Sequence, residues 1–140
     1  MIDFNSVSST INKLENENII SEWISETISS EGFIEGKLTY IFCDDKYLNK
    51  INLEFLNHNT LTDIISFDNR LGKQINGEIY ISVERVRENA KIYKTNFKDE
   101  LHRVMIHGIL HFCGYNDKSD AETKIMRNKE EESLRRLTQI

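Results

Sequence analysis

The chain has 140 residues, of which 39% are apolar and 29% charged, with a net charge of −5. That length favours one domain, residues 1–140, around one core, and the composition is that of a soluble globular protein. The negative charge argues against coating nucleic acid by bulk charge, and the short apolar runs exclude a transmembrane helix, so no membrane partner is expected. Two cysteines without a Cys-x-x-Cys pair, and a start lacking the basic and apolar regions of a secretory signal, point to free thiols in a reducing cytoplasm.

Residues 2–4 alternate and predict a short strand, whereas residues 6–16 are polar, with Val7, Ile11 and Leu14 as their only anchors. From Glu17 the apolar positions Ile20, Trp23, Ile24 and Ile28 recur at helical spacing, with Asn16 as N-cap and Gly32 as stop. Residues 37–43 are β-branched and aromatic. Leu38, Tyr40 and Phe42 on one face and Ile41 and Cys43 on the other predict an interior strand covered on both sides. Asp44 and Asp45 then cap a helix carrying Tyr47, Leu48, Ile51, Phe55 and Leu56, ended by the polar run from Asn57 to Thr60.

A second strand is predicted over residues 62–67 and a third over 78–82, joined by a loop at 68–73 with Asn76 and Gly77 as turn residues. A helix over residues 83–94 would bury Val83, Val86, Ala90 and Tyr93. Another from about Lys98 would bury Leu101, Val104, Met105, Ile109 and Leu110. Ser119 and Glu122 form a capping box opening a last helix with Ile125, Met126 and Leu134. The expected fold is α+β: a single-layer mixed β-sheet of roughly three to four strands covered by about five helices, with a metal site at the end of a largely buried helix.

That site rests on His107 and His111. Four residues is just over one helical turn, so both imidazoles lie on one face of the helix. Its flanks, Val104, Met105 and Ile106 before and Ile109 and Leu110 between, are apolar, and burying unsatisfied rings there is costly. Gly114 ends the helix, and acidic residues follow at once. Glu122 has its capping role and Asp120 is favoured by the helix dipole, which leaves Asp117 as the carboxylate without a local explanation. Cys113, two residues past His111, points elsewhere and reads as a small core residue. Two histidines and one carboxylate leave a position for water, the pattern of a catalytic zinc site, where the ion acidifies that water and polarises a substrate oxygen. A metallopeptidase would carry its general base directly after the first histidine. Here that residue is Gly108, which suits close approach of another backbone or a substrate.

The string His-Gly-x-Leu-His-x-x-Gly-Tyr at 107–115 resembles the signature of the YbeY family of bacterial endoribonucleases. Thr-Asp-Ile-Ile-Ser-Phe at 62–67 and Gly-Glu-Ile at 77–79 resemble two further family segments, and order and spacing agree from about residue 38 to 134. The resemblance implies a metal-dependent, single-strand-specific endoribonuclease of ribosomal RNA maturation, 30S assembly and ribosome quality control. One Zn2+ per chain would be held by His107, His111 and Asp117, also the catalytic set, with metal-activated water attacking a phosphodiester. Its partners would be ribosomal RNA and the small ribosomal subunit or its factors. Two departures stand out. Asp117 occupies the place of the family's third histidine, and Leu56 that of an arginine thought to serve the RNA phosphate, with His58 nearby as a substitute contact. Arg87, Lys91 and Lys94 share one helix face and, with Lys98 and Arg103, form a candidate basic stripe for RNA phosphates. The alternatives are a ribosome-assembly factor with a structural metal and little cleavage, and another metallohydrolase, such as an amidase, with Glu78 or another acid as base.

Overall fold

The computed structural model describes residues 1–8, 14–56 and 62–140. The elements in chain order are β1 (Ile2–Ser6), α1 (Glu17–Ser30), β2 (Ile34–Cys43), α2 (Asp45–Leu56), β3 (Ile64–Asp68), β4 (Gln74–Ser82), α3 (Val83–Ile92), α4 (Phe97–Phe112) and α5 (Asp120–Leu137). The strands form one sheet in the order β1-β2-β4-β3. β1, β2 and β4 run parallel, and β3 lies antiparallel at the edge. The fold is therefore α+β, a mixed sheet with five helices.

Strand alternation divides the core between the two faces of the sheet. Leu38, Tyr40 and Phe42 of β2 and Ile75, Ile79 and Ile81 of β4 pack with Ile20, Trp23, Ile24 and Ile28 of α1 and with Val104, Met105 and Ile109 of α4. On the other face a smaller cluster joins Cys43 and Ile65 to Leu48 and Ile51 of α2. α4 is buried over most of its length because it lies between the sheet, α3 and α5, and Leu101, Val104, Met105, Ile106, Ile109, Leu110 and Phe112 are all buried. Burial of one such side chain contributes about 1.5–3 kcal/mol. Two buried polar groups tie the layers together. The Tyr40 hydroxyl donates to the Met105 carbonyl at 2.8 Å, and the Trp23 indole N–H donates to the Ser133 carbonyl at 2.7 Å.

Several local expectations change. β2 starts at Ile34, earlier than residue 37, because Ile34 and Glu35 pair with Gln74 and Ile75 before an irregularity in register. Asn16 sits before α1 in a left-handed conformation, yet its side chain makes no capping hydrogen bond. Asn76 and Gly77 lie inside β4; the turn falls instead at Leu71–Gln74, a bridge containing Gly72. Tyr93 is exposed, because α3 stops at Ile92 and Lys94 turns left-handed at φ 57. Ile125 is also exposed; Met126, one residue on, is the buried position. Gly108 faces the Ile79 and Ile64 side chains, so its lack of a Cβ serves the packing of α4 on the sheet, not the approach of a substrate or another backbone.

Among the glycines, Gly77 makes the closest approach to neighbouring backbone. A Cβ there would lie 2.5 Å from the Phe67 carbonyl oxygen and 2.7 Å from the Phe112 ring. Backbone cannot yield as a side-chain tip can, so Gly77→Ala is expected to lower stability by about 1–3 kcal/mol. Gly108→Ala meets only the ends of Ile79 and Ile64, at 3.0 and 3.1 Å, and should cost less. Urea denaturation of the two variants ranks them, and the reverse ranking would refute this account of the packing.

Candidate metal centre

The site is built on the last turns of α4. Asn96 caps the helix start by accepting from the Asp99 N–H, which leaves Phe97 to Phe112 as one rigid rod carrying both histidines. The helix ends at Gly114, at φ 100, a conformation that costs glycine nothing. The Gly114 N–H bonds the His111 carbonyl, and the Tyr115 N–H returns to the Leu110 carbonyl, both at 3.0 Å. This is a Schellman ending. It brings the Tyr115 carbonyl back over the helix, where it meets His111 Nδ1 at 2.9 Å. The chain beyond then folds Asp117 inward. Asp117 Oδ2 lies 3.3 Å from His107 Nε2 and 3.5 Å from His111 Nε2.

His107 is oriented from α5. Its Nδ1 lies 2.6 Å from Oε2 of Glu130, a residue 2% exposed. Glu130 Oε1 accepts from Arg103 Nη1 at 3.0 Å, with Arg127 Nη1 at 3.5 Å. Arg103 also grips buried Glu100, through Nε at 3.0 Å and Nη2 at 2.6 Å. Burial alone would push the Glu130 carboxyl up, but the His107 hydrogen bond and the Arg103 guanidinium hold it below the usual carboxylate range. Arg103 is shifted the other way, upward: burial opposes its charge, and the two carboxylates more than offset that. Asp63, from the Thr-Asp segment, is raised by burial against the pull of Arg103 and His107.

These contacts set the tautomers. Each Nδ1 faces an oxygen acceptor, so each Nδ1 carries the proton and each Nε2 presents a lone pair. His107 Nε2, His111 Nε2 and an Asp117 carboxylate oxygen thus converge, all three ligand atoms within 4.8 Å of one another. A cation satisfies all three. For bonds of 2.0–2.1 Å the edge of a tetrahedron is about 3.4 Å, which matches the 3.3 and 3.5 Å separations. His107, His111 and Asp117 are 16%, 28% and 42% exposed at their side chains, so the group opens to the surface. The residues fit a metal ion, and they are the three expected from sequence.

The remaining candidates are dispersed. Arg87, Lys91 and Lys94 are exposed on or just after α3, with the Arg87 guanidinium 4.7 Å from the Phe97 ring centroid and Lys91 near Glu88 at 3.5 Å. They therefore lie toward the start of α4, whose length from Phe97 to His111 is about 21 Å. Arg103, expected in the same stripe, is committed to Glu100 and Glu130. His58 lies outside the described residues. Leu56 ends α2 and is exposed. Cys113 packs against the core outside the ligand group, its thiol pushed up to about 12, chiefly by burial. Glu78 is exposed on the opposite side of β4 from Ile79, which contacts Gly108, so it faces away from the histidines. Sequence reasoning missed Glu130 and Glu100, and assigned Arg103 to RNA phosphates and not to their support. A glutamate in a charged helical run resembles a solvated face, and only its burial distinguishes it.

The fold and this group define a candidate metalloprotein with a surface-open His-His-carboxylate centre. The sequence model of the family described as Endoribonuclease YbeY matches residues 1–138. The Endoribonuclease YbeY of Flavobacterium johnsoniae is 55% identical over 134 residues, covering 96% of this chain and 95% of that protein. That of Flavobacterium psychrophilum is 57% identical over 123 residues, 88% of each chain. The solution structure of TM1509 from Thermotoga maritima superposes with a TM-score of 0.69 at 25% identity, covering 98% of this chain and 89% of that one. The chain belongs to the YbeY family.

Because Glu130 orients His107 and bears a charge, Glu130→Gln is expected to weaken metal affinity about 10–100-fold, read by chelator competition. Arg103→Ala leaves buried Glu100 without its cation and Glu130 with only the more distant Arg127, and should lose about 3–5 kcal/mol of stability in denaturant titration.

Proposed function

We propose that this protein is a metal-dependent endoribonuclease that cleaves single-stranded segments of ribosomal RNA during small-subunit maturation and quality control, with rRNA and the small subunit or its factors as partners. The observation that carries the reading is the convergence of His107 Nε2, His111 Nε2 and Asp117 Oδ2 at a surface-open point. The family relationship supplies the substrate class, since the curated relatives are named endoribonucleases.

Three protein ligands suit a catalytic zinc ion with a further position open. Bound there, zinc would supply Lewis-acid polarisation of a phosphoryl oxygen and a water of near-neutral pKa. The protein's own part is to hold that geometry. Glu130 and the Tyr115 carbonyl fix both rings with Nε2 inward, and α4 keeps the two rings one turn apart. Asp117 replaces an imidazole with an anion, which lowers the net positive charge of the loaded site. Arg87, Lys91 and Lys94 would carry RNA phosphates farther from the centre. A second reading, an assembly factor in which the metal is mainly structural, is favoured by one observation: Leu56 ends α2 as an exposed apolar residue where a phosphate-binding arginine is expected.

Metal content and rRNA cleavage measured on wild type, His111→Ala and Asp117→Ala separate the readings. The expected result is loss of both metal and cleavage in each variant, with the fold retained by circular dichroism. Metal retained in both variants would refute the ligand set. Cleavage unchanged after metal loss would refute the metal-dependent nuclease and favour the assembly factor.

A further inference from the structure

Most cations around α4 are already committed. Arg103 and Arg127 serve Glu130, and Lys129 serves Glu31 at 3.1 Å. Arg70 and Lys73, in the turn between β3 and β4, differ from these: neither has a carboxylate partner within ion-pair distance among the described residues. Their positions are nevertheless set. The Arg70 N–H donates to Asp68 Oδ1 at 2.8 Å, which shapes the turn. Its guanidinium Nη1 donates to the carbonyl of Phe112 at 3.1 Å, one residue beyond His111 at the end of the metal helix. The guanidinium carbon lies 5.6 Å from the Phe33 ring centroid, and Lys73 Nζ lies 4.8 Å from the same centroid. Phe33 is held in turn, its N–H on the Ile28 carbonyl and the next N–H, of Ile34, on the Lys73 carbonyl at 2.8 Å.

Two cations thus rest on one aromatic ring beside the catalytic end of α4, in a chain whose net charge is −5. One guanidinium nitrogen is spent on Phe112, and the other N–H donors have no protein acceptor among the described residues. An open guanidinium fork paired with an ammonium matches the acceptors of a phosphodiester backbone. Rotational freedom is already restricted by the ring, so little entropy is lost when a phosphate binds.

We propose that Arg70 and Lys73, seated on Phe33, form a phosphate-contacting subsite for single-stranded RNA beside the His107, His111 and Asp117 group. This rests on the endoribonuclease reading above. RNA leaving the centre crosses the β3–β4 turn, and Arg70 supplies a substrate-positioning charge from a different part of the chain than Leu56.

The test is the salt dependence of RNA binding by the intact protein as purified. A fluorescently labelled single-stranded oligoribonucleotide is titrated by anisotropy between 50 and 200 mM salt, roughly the range over which counterion release is legible. Each phosphate contact contributes about 0.7 to the slope of log affinity against log salt for a single strand. Arg70→Gln and Lys73→Gln are each expected to reduce the slope by about 0.7 and the double variant by about 1.4, while Arg70→Lys keeps it. Lys73 makes no side-chain hydrogen bond in the described structure, so its variant stands even if Arg70→Gln unfolds. A purely structural Arg70 would change thermal stability and leave the slope alone. A double variant with the parental slope overturns this subsite and leaves the nuclease reading intact. A parent protein that binds no single-stranded RNA overturns both.

Discussion

The carboxylate of Glu130 is the point on which the centre depends. It is buried on α5, and it faces a histidine of α4 on one oxygen and an arginine of α4 on the other. A buried carboxylate is tolerable only when it is paired and hydrogen-bonded. Glu130 meets that requirement by using the two side chains that also fix how α5 packs on α4. The same contacts that make its burial affordable place the proton of His107 on Nδ1 and turn Nε2 toward Asp117. Stability and site geometry are therefore one interaction, and α5, which supplies no candidate ligand, is part of the centre.

His111 is oriented by different means. Its Nδ1 partner is a backbone carbonyl delivered by the Schellman turn at Gly114. Local chain geometry serves one ring and tertiary packing the other. The turn also delivers Tyr115, whose hydroxyl donates to Glu31 at 2.5 Å while Lys129 approaches the same carboxylate. α1, α5 and the metal turn thus meet at one anion. Asp117 follows from that anchored turn, close to both rings.

The family relationship makes the two departures informative. Asp117 stays within reach of both histidines, so the three side chains converge even though a carboxylate stands where the resemblance implies an imidazole. Leu56, exposed at the end of α2, carries no charge where the resemblance implies a cation. Arg70, on the Phe112 carbonyl, shows that a positive group can be supplied at the end of α4 by a different turn.

What the sequence determined by itself was whatever depends on periodicity and near neighbours. The apolar spacing of α1 and α4, the capping box at Ser119, the stop at Gly114 and the shared face of His107 and His111 are all set within a few residues, so they were legible in the chain. Asp117 was legible for the same reason, being the acid left without a local duty. Tertiary structure decided what depends on residues far apart. Asn76 and Gly77 read as a turn, yet pairing with β2 and the approach of Phe67 and Phe112 draw them into a strand. Gly108 is small because Ile64 and Ile79 press on it, Arg103 is withdrawn from any RNA stripe by two buried carboxylates, and Glu130 lies 23 positions from the histidine it orients. Each depends on which surfaces meet when the layers close, and burial, which turns an ordinary glutamate into the anchor of the site, exists only in the folded chain.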